Sequence, residues 1–185
     1  MNYKTALDTF NNGWYDPKRS KIFILFWMVV ERIFLKNPLM IFSELKLKLL
    51  RFFGSKVGKG IVIKPSISIK YPWLLSIGDH TWIGENVWID NLVQVTIGNN
   101  VCISQGAMLL TGNHNYKKSS FDLITGEIIL EDGVWIGAKA IVCPGVKCGS
   151  HAILTVGSVA TKDLEPYGIY QGNPAVLIRK RAILE

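Results

Sequence analysis

The chain has 185 residues, of which 49% are hydrophobic and 19% charged, and this composition argues against dominant disorder and for a folded globular protein. Its formal net charge of +7 favours an anionic partner, such as nucleic acid, a membrane surface or a phosphorylated cofactor, without choosing among them. The three cysteines form no CxxC pair, which argues against a disulfide scaffold and fits a reducing cytoplasm.

The N-terminal segment, residues 1–56, is predicted to be a helical arm or cap. Ser20 is placed to cap a first helix, and Pro38 ends it. A second helix is expected to begin at Ser43 and to close at Gly54, where a glycine can adopt the conformation that terminates a helix.

Two interpretations of this segment remain open. The apolar run at residues 22–30 has nine residues, about half of the roughly 20 needed to span a bilayer, and it lies too far into the chain for a usual secretory signal. In the second helix, an apolar face is expected from Leu45, Leu49, Phe52 and Phe53, with Lys46, Lys48 and Arg51 elsewhere. The helices either cover an open end of the following domain or a neighbouring subunit, or they form a basic amphipathic anchor at the cytoplasmic membrane face.

A six-residue period fills most of the chain after residue 56. The fifteen positions in phase are Val57, Ile63, Ile69, Ile77, Ile83, Ile89, Ile97, Ile103, Leu109, Leu130, Ile136, Val142, Cys148, Leu154 and Ala160. A second set of mostly small or apolar residues follows four positions after these markers. The second residue of one unit and the marker of the next are two residues apart, so both point to the same side of a short strand. The period therefore predicts a coil of short strands that stacks on itself over residues 57–170.

The period is interrupted once by a long insertion. Leu109 and Leu130 are 21 residues apart instead of six, so about fifteen residues are expected to leave the coil as a loop at about 111–128. A long excursion from a regular scaffold is a natural place for function. His114 lies in this loop, and an imidazole can take a proton from a hydroxyl near neutral pH as that oxygen attacks a carbonyl carbon.

The C-terminal tail, residues 171–185, is predicted to hold a turn and a short helix. Gly172-Asn173-Pro174 predicts the turn, and Arg179, Lys180 and Arg181 follow it as a basic run.

Four segments together resemble the hexapeptide-repeat O-acetyltransferases, especially those of colanic acid and other exopolysaccharide biosynthesis. These segments read ISQGAMLLTGNHNY, VWIGAKAIVCPGV, GSVATKDL and YQGNPAVLIRKR, and the likeness covers about residues 50 to 181. The resemblance implies a mainly β fold, a left-handed parallel β-helix with three strands per turn, assembled as a homotrimer. Fifteen units then give about five turns and a prism roughly 24 Å tall.

The resemblance also implies a reaction, the transfer of acetyl from acetyl-CoA to a sugar hydroxyl without a covalent acetyl-enzyme. His114 matches the family's catalytic base. Asp90 stands where the related galactoside and maltose acetyltransferases carry an asparagine that holds the acceptor, and it is followed by Asn91. We expect Asp90, Asn91 and Tyr116 to contact the sugar.

For acetyl-CoA, the resemblance implies a groove between two parallel coils of the trimer. The expected cofactor-binding residues are Trp135, Ala138, Val156, Thr161, Lys162 and Arg179. A thin pantetheine arm needs small side chains, and the basic residues suit the phosphates. No metal is expected to be required.

Three other interpretations compete with an acetyltransferase function. The γ-class carbonic anhydrases share the coil but need three histidines around zinc, two of them closely spaced, whereas His80, His114 and His151 are each more than thirty residues apart. Nucleic-acid binding is disfavoured because the positive charge is divided between the second helix and the tail. The remaining alternative is a non-catalytic trimeric scaffold whose helical arm binds a membrane or a biosynthetic partner.

Overall fold

A computed structural model describes residues 4–184, so the first three residues of the predicted N-terminal arm and the last residue of the predicted tail lie outside the described part. The helices are α1 (Lys21–Val30), continued by a π-helical turn (Glu31–Leu35), and α2 (Ser43–Phe52), with short 3-10 turns at Leu7–Thr9 and Pro72–Leu74. The predicted N-cap is confirmed, because the Ser20 hydroxyl accepts a hydrogen bond from the Phe23 amide at 3.3 Å.

After α2, the described part of the chain consists of nineteen short strands joined by turns and loops. They are β1 (Lys56–Val57), β2 (Val62–Ile63), β3 (Ser68–Ile69), β4 (Leu75–Ile77), β5 (Trp82–Ile83), β6 (Trp88–Asp90), β7 (Val95–Ile97), β8 (Cys102–Ile103), β9 (Met108–Leu110), β10 (Gly112–His114), β11 (Leu123–Thr125), β12 (Ile128–Leu130), β13 (Trp135–Ile136), β14 (Ile141–Val142), β15 (Lys147–Cys148), β16 (Ile153–Leu154), β17 (Val159–Ala160), β18 (Gly168–Gly172) and β19 (Ala175–Lys180).

The strands form three parallel sheets, which we call A, B and C, and the chain visits them in the order A, B, C in every turn. Sheet A is β1-β4-β7-β12-β15, sheet B contains β2-β5-β8-β13-β16-β18 with β19 at its edge, and sheet C is β3-β6-β9-β14-β17. Three sheets visited in rotation enclose a prism, and the five strands of sheets A and C correspond to five turns. The predicted parallel β-helix is confirmed.

The six-residue period places apolar side chains inside this prism. All markers from Ile63 to Ala160 are at most 3% exposed, and most of the residues four positions later are buried with them. The long insertion is also visible in the strand register. Ile97 pairs with Leu130, 33 residues further on, whereas Leu130 pairs with Cys148 after only 18 residues. Fifteen residues therefore leave the coil at this point, and they include the antiparallel hairpin β10–β11.

The helical segment covers the N-terminal end of the coil and satisfies its exposed backbone groups. At the edge strand β3, the Trp27 indole donates to the Ile69 carbonyl at 2.9 Å, and the Glu31 carboxylate accepts from the Ile69 amide at 2.9 Å. The Ile67 amide donates to the Leu35 carbonyl at 3.1 Å. An uncovered edge strand would leave these groups unpaired, so the helices act as a cap.

The buried face of α2 differs from the predicted one. Leu45 and Phe52 are exposed, whereas Lys46 is fully buried. The Lys46 ammonium donates to the carbonyls of Ile63 and Lys64 at 3.3 and 2.8 Å, and its burial lowers the pKa of Lys46 to about 8. The helix is rotated relative to the prediction, so that this lysine reaches the open edge of the coil. The need to pair the backbone carbonyls at that edge, and not the apolar pattern alone, determines which face of α2 is buried.

The predicted C-terminal helix is wrong, because the tail continues as a strand. After the predicted turn at Asn173 and Pro174, β19 runs antiparallel to β18 and pairs with it at the edge of sheet B. The segment AVLIRK is rich in apolar side chains, and the edge of β18 offers unpaired backbone groups that an additional strand satisfies. Arg181 follows the strand and donates to the Gly133 carbonyl at 3.1 Å.

The positive charge is concentrated near the N-terminal end of the chain, and it is not divided between the second helix and the tail as the sequence interpretation expected. Eleven lysine and arginine residues but only two glutamates lie between Lys18 and Lys64, whereas the remainder of the chain has ten basic and twelve acidic residues. The excess therefore belongs to the helical cap and the first turn of the coil, and the tail contributes little of it. Within residues 4–184, no helix has the length and apolar content needed to cross a membrane.

Candidate active site

The hairpin loop carries His114 away from the corner of the prism at which the chain passes from sheet C to sheet A. We call this the loop corner. Strand β9 ends in sheet C, β10 and β11 form the hairpin, and β12 resumes in sheet A. The return requires a glycine, because a Cβ at Gly126 would lie 2.7 Å from the Gly145 Cα of the next turn.

The backbone of the loop fixes the orientation of the His114 ring. Nδ1 lies 2.9 Å from the Phe121 carbonyl oxygen, and the ring stacks on the Phe121 ring with centroids 4.5 Å apart and planes 8° from parallel. A carbonyl oxygen only accepts, so Nδ1 carries the hydrogen and the neutral ring has its lone pair on Nε2. Nε2 is then the ring nitrogen that can accept a proton.

Phe121 adopts a strained backbone conformation to make this contact. Its φ is 53°, in the left-handed region that costs a bulky residue about 1–3 kcal/mol unless the surroundings hold it. The Phe121 amide donates to the Lys118 carbonyl at 3.1 Å, and the Asn115 amide donates to the Asp122 carbonyl at 2.8 Å. These bonds close the loop into a compact turn around the imidazole.

The segment before α1, residues 4–20, packs against the same loop. From here on, the term N-terminal arm means this segment only. The Ala6 amide donates to the Ser119 carbonyl at 2.8 Å, and the Phe10 ring lies 5.8 Å from the His114 ring. Further along, the Tyr15 hydroxyl donates to the Leu92 carbonyl at 2.8 Å. Phe10 and Phe121 carry no sequence signal that marks them as neighbours of His114, because neither belongs to a repeat and their approach depends on the tertiary path of the chain.

The three predicted acceptor-binding residues have different environments. Asp90 is partly exposed and forms an ion pair with Lys70 at 2.9 Å, and Tyr116 is 76% exposed at the tip of the loop. Asn91 is fully buried. Its amide accepts from the Tyr71 amide at 3.0 Å and donates to the carbonyls of Tyr71 and Leu74 at 2.6 and 3.0 Å. This geometry contradicts an acceptor-binding role for Asn91, whose side chain is consumed in shaping a corner of the coil.

The predicted cofactor-binding residues are spread over more than one corner. Ala138 and Val156 lie in successive turns at the corner between sheets B and C, where the Gly157 amide donates to the Ala138 carbonyl at 2.9 Å. Thr161 and Lys162 follow β17 and are exposed at the loop corner, the same corner as His114.

The other two predicted cofactor residues lie on sheet B. Trp135 is 45% exposed, and its indole donates to the Ser104 hydroxyl at 2.9 Å. Arg179 is exposed on β19. One chain therefore does not bring the predicted cofactor residues into a single groove beside His114.

Among the described residues, no three His, Cys, Asp or Glu side chains lie close enough together to hold a metal ion. His80 and His151 lie at corners of other turns, and the His151 ring packs 4.9 Å from the Tyr167 ring.

Comparisons with known proteins agree with this architecture. No protein-family model matches the chain. A provisionally assigned colanic acid biosynthesis acetyltransferase of Escherichia coli K12, WcaF, is 37% identical over 161 residues, which cover 87% of this chain and 88% of that protein.

Two solved structures extend the likeness to three dimensions. The hexapeptide-repeat acetyltransferase VCA0836 of Vibrio cholerae aligns with a TM-score of 0.76 and 26% identity, over 87% of this chain and 93% of that one. A galactoside acetyltransferase in complex with coenzyme A aligns with a TM-score of 0.67 and 27% identity, over 74% of this chain and 70% of that one.

Proposed function

This chain belongs to the hexapeptide-repeat acetyltransferase family, and from that premise we propose that it transfers acetyl from acetyl-CoA to a hydroxyl group of a saccharide, with His114 as the general base. The protein is an acyltransferase, and acetyl-CoA is its donor. The identity of the base and the saccharide class of the acceptor are the proposed parts.

The observation that carries the proposal is the Nδ1 contact of His114 with the Phe121 carbonyl at 2.9 Å. Because this contact leaves Nε2 as an acceptor, the imidazole can remove the proton of an attacking hydroxyl. The hydroxyl oxygen then forms a bond to the thioester carbonyl carbon, and the bond to sulfur breaks as CoA thiol leaves with a proton. Positioned bases of this kind contribute about 10²- to 10⁴-fold to rates. Backbone amides beside the thioester would stabilise the developing oxyanion.

The proposed donor groove lies between two chains of a homotrimer. Ala138 and Val156 offer a corner with one small side chain, which suits the narrow pantetheine arm. Lys162 and Arg179 are exposed cations suited to the phosphates of CoA. Since Ala138 and His114 lie at different corners of one prism, a trimer that places the corner of one chain against the loop corner of the next supplies both halves of a site.

The saccharide acceptor is supported by the names of the relatives, one assigned to colanic acid biosynthesis and one called a galactoside acetyltransferase. Asp90 and Tyr116 are the side chains proposed to contact it. Because the thiols of Cys102, Cys143 and Cys148 are free, we further place the protein in the cytoplasm, where such thiols persist, with the helical cap at the membrane face.

The test is a screen of nucleotide-linked, lipid-linked and free saccharides with radiolabelled acetyl-CoA, together with the melting temperature of the protein as a function of acetyl-CoA concentration. The proposal predicts label transfer to a saccharide and a melting temperature that rises with acetyl-CoA, because a ligand of the folded state stabilises it. A non-catalytic scaffold would show neither effect, and that result would overturn the proposal.

A further inference from the structure

A recess lies on the outer face of sheet C, beside α1, and its lining is mainly apolar with several polar groups. It has a volume of about 260 Å³ and is lined by side chains that include Ser68, Lys70, Tyr71, Trp88 and Asp90. The Trp88 indole is 42% exposed and offers a flat apolar platform, and the carboxylate and hydroxyl groups beside it can hydrogen-bond to sugar hydroxyls. The recess therefore has the mixed lining that suits a saccharide.

This recess continues into a second groove along α1 whose lining is different. The second groove has a volume of about 460 Å³ and is lined mainly by Leu25, Met28, Val29, Ile33 and the cationic Arg32. Met28, Glu31 and Lys36 line both parts, so the two form one continuous surface. A single molecule that fits it has a sugar at one end, an aliphatic chain at the other and an anionic group near Arg32, beside the ion pair in which the Lys36 ammonium lies 2.9 Å from the Glu31 carboxylate.

The aliphatic part of the groove opens onto an exposed apolar ridge. Ile22, Leu25, Phe26 and Val29 follow the three- and four-residue spacing of one helix face and are 82, 62, 51 and 51% exposed. Apolar side chains at this density on an outer helix face mark a contact with a partner or a membrane.

The charge around the ridge favours a membrane over a second copy of the chain. The residues from Lys18 to Lys64 carry the chain's entire positive excess, and Lys21, Arg32 and Lys48 are exposed on the helices themselves. Two such caps facing each other would bring like charges together, whereas the headgroups of anionic lipids attract them.

The recess also lies close to the loop that carries the proposed base. The Asp90 carbonyl accepts from the Thr111 amide at 3.2 Å and from the Thr111 hydroxyl at 2.9 Å, and the hairpin begins at the next residue, Gly112. Asp90, which lines the sugar end of the surface, and Thr111, which precedes the hairpin, thus belong to adjacent turns of the coil.

We propose that the acceptor is a saccharide joined through a phosphate to a lipid, taken from an anionic membrane surface on which the α1 ridge rests. The groove along α1 holds the lipid chain and the phosphate, and the recess around Trp88 and Asp90 holds the sugar. This inference rests on the proposed acetyltransferase function and adds to it the class of acceptor and the surface that presents it.

The test measures binding to the full-length protein of three probes: farnesyl diphosphate below its micellar concentration, inorganic pyrophosphate and farnesol. Farnesyl diphosphate is expected to bind at least about tenfold more tightly than either of the other two, because only it engages both Arg32 and the apolar groove. Arg32→Gln is expected to weaken farnesyl diphosphate binding by about tenfold. The matched control Lys48→Gln, an exposed lysine of α2 outside the groove, should change it by less than about twofold, because distant surface charges are screened.

A parallel experiment measures flotation with phosphatidylcholine vesicles, with or without phosphatidylglycerol. The wild-type protein should float only with the anionic vesicles, and Leu25→Ser/Val29→Ser should abolish flotation, whereas Ile183→Ser/Leu184→Ser, which removes exposed apolar side chains elsewhere, should not. Equal affinity for pyrophosphate and farnesyl diphosphate, or an unchanged affinity in Arg32→Gln, would overturn the groove assignment. An assembly larger than a trimer that dissociates on Leu25→Ser/Val29→Ser would instead identify a second copy as the occupant of the ridge, and would also overturn it. Label transfer from acetyl-CoA to a water-soluble saccharide, assayed in the same preparation, shows whether the acetyltransferase function survives such a failure.

Discussion

Replacement of Lys46 by methionine tests the arrangement of the helical cap through the pH dependence of stability. Lys46 is fully buried and donates to two carbonyls at the edge of the coil, and its pKa in the folded protein is about 8, below the ordinary value of 10.5. Between these two pH values the unfolded chain holds a proton on this lysine that the folded chain has lost. The free energy of unfolding therefore rises with pH in this window, by about 1.4 kcal/mol per pH unit, and this contribution is lost again as pH falls to 8.

The quantity to measure is the difference in free energy of unfolding between wild type and Lys46→Met, by urea denaturation at fixed protein concentration. Methionine cannot titrate, so we expect the difference to move in favour of the wild type by about 2 kcal/mol between pH 8 and 9.5. Lys48→Met, on the exposed face of the same helix, should show a flat difference over this range. A flat difference for Lys46→Met as well would mean that the two carbonyls hold this lysine charged, and the reasoning from burial would be refuted.

Other residues separate structural from functional roles. Asn91→Ala should lower the free energy of unfolding by about 3 kcal/mol in a denaturation experiment, because it leaves buried backbone groups of the corner unpaired. Asp90→Asn breaks only a partly exposed ion pair, so it should lower the free energy of unfolding by less than about 1 kcal/mol. The same variant should raise the KM for the acceptor. An unchanged KM would show that Asp90 does not contact the acceptor. Lys162→Ala and Arg179→Ala should each raise the Kd of acetyl-CoA by about tenfold in calorimetric titrations. Lys59→Ala, at the opposite end of the coil, is the control. An unaltered Kd in either variant would show that the replaced residue does not bind the cofactor.

The fold was predictable because a strict period translates directly into geometry. Fifteen residues in six-residue phase determine which side chains enter the prism, and the extra residues between Leu109 and Leu130 locate the hairpin. The helices of the cap were also marked by local signals, such as the Ser20 cap. These features depend on short-range chemistry that a sequence displays.

The two wrong predictions, the buried face of α2 and the C-terminal helix, concern contacts that only the folded structure determines. The rotation of α2 depends on open carbonyls at the edge of the coil, and the tail becomes a strand because β18 leaves an unpaired edge. The local sequence shows neither the open carbonyls at the edge of the coil nor the unpaired edge of β18. The same limit applies at the candidate site, where His114 was recognisable from its place in the insertion, but its partners Phe10 and Phe121 were not.

The N-terminal arm links the helical cap to the hairpin loop that carries His114. The arm contacts the hairpin at Ser119 and His114, passes Leu92 through Tyr15, and enters α1 after Ser20. The arm therefore joins the surface proposed to meet the membrane to the imidazole proposed to activate the acceptor.

The most direct test of the central claim is the turnover of His114→Asn. An asparagine amide can still donate to the Phe121 carbonyl, but it lacks the lone pair that Nε2 supplies. We expect kcat to fall by about 10²- to 10⁴-fold while the affinity for acetyl-CoA and the oligomeric state are retained, and we expect His80→Asn, at an exposed corner whose left-handed φ of 56° asparagine tolerates, to keep full activity. A His114→Asn variant that turns over as fast as the wild type would contradict the assignment of this imidazole as the base.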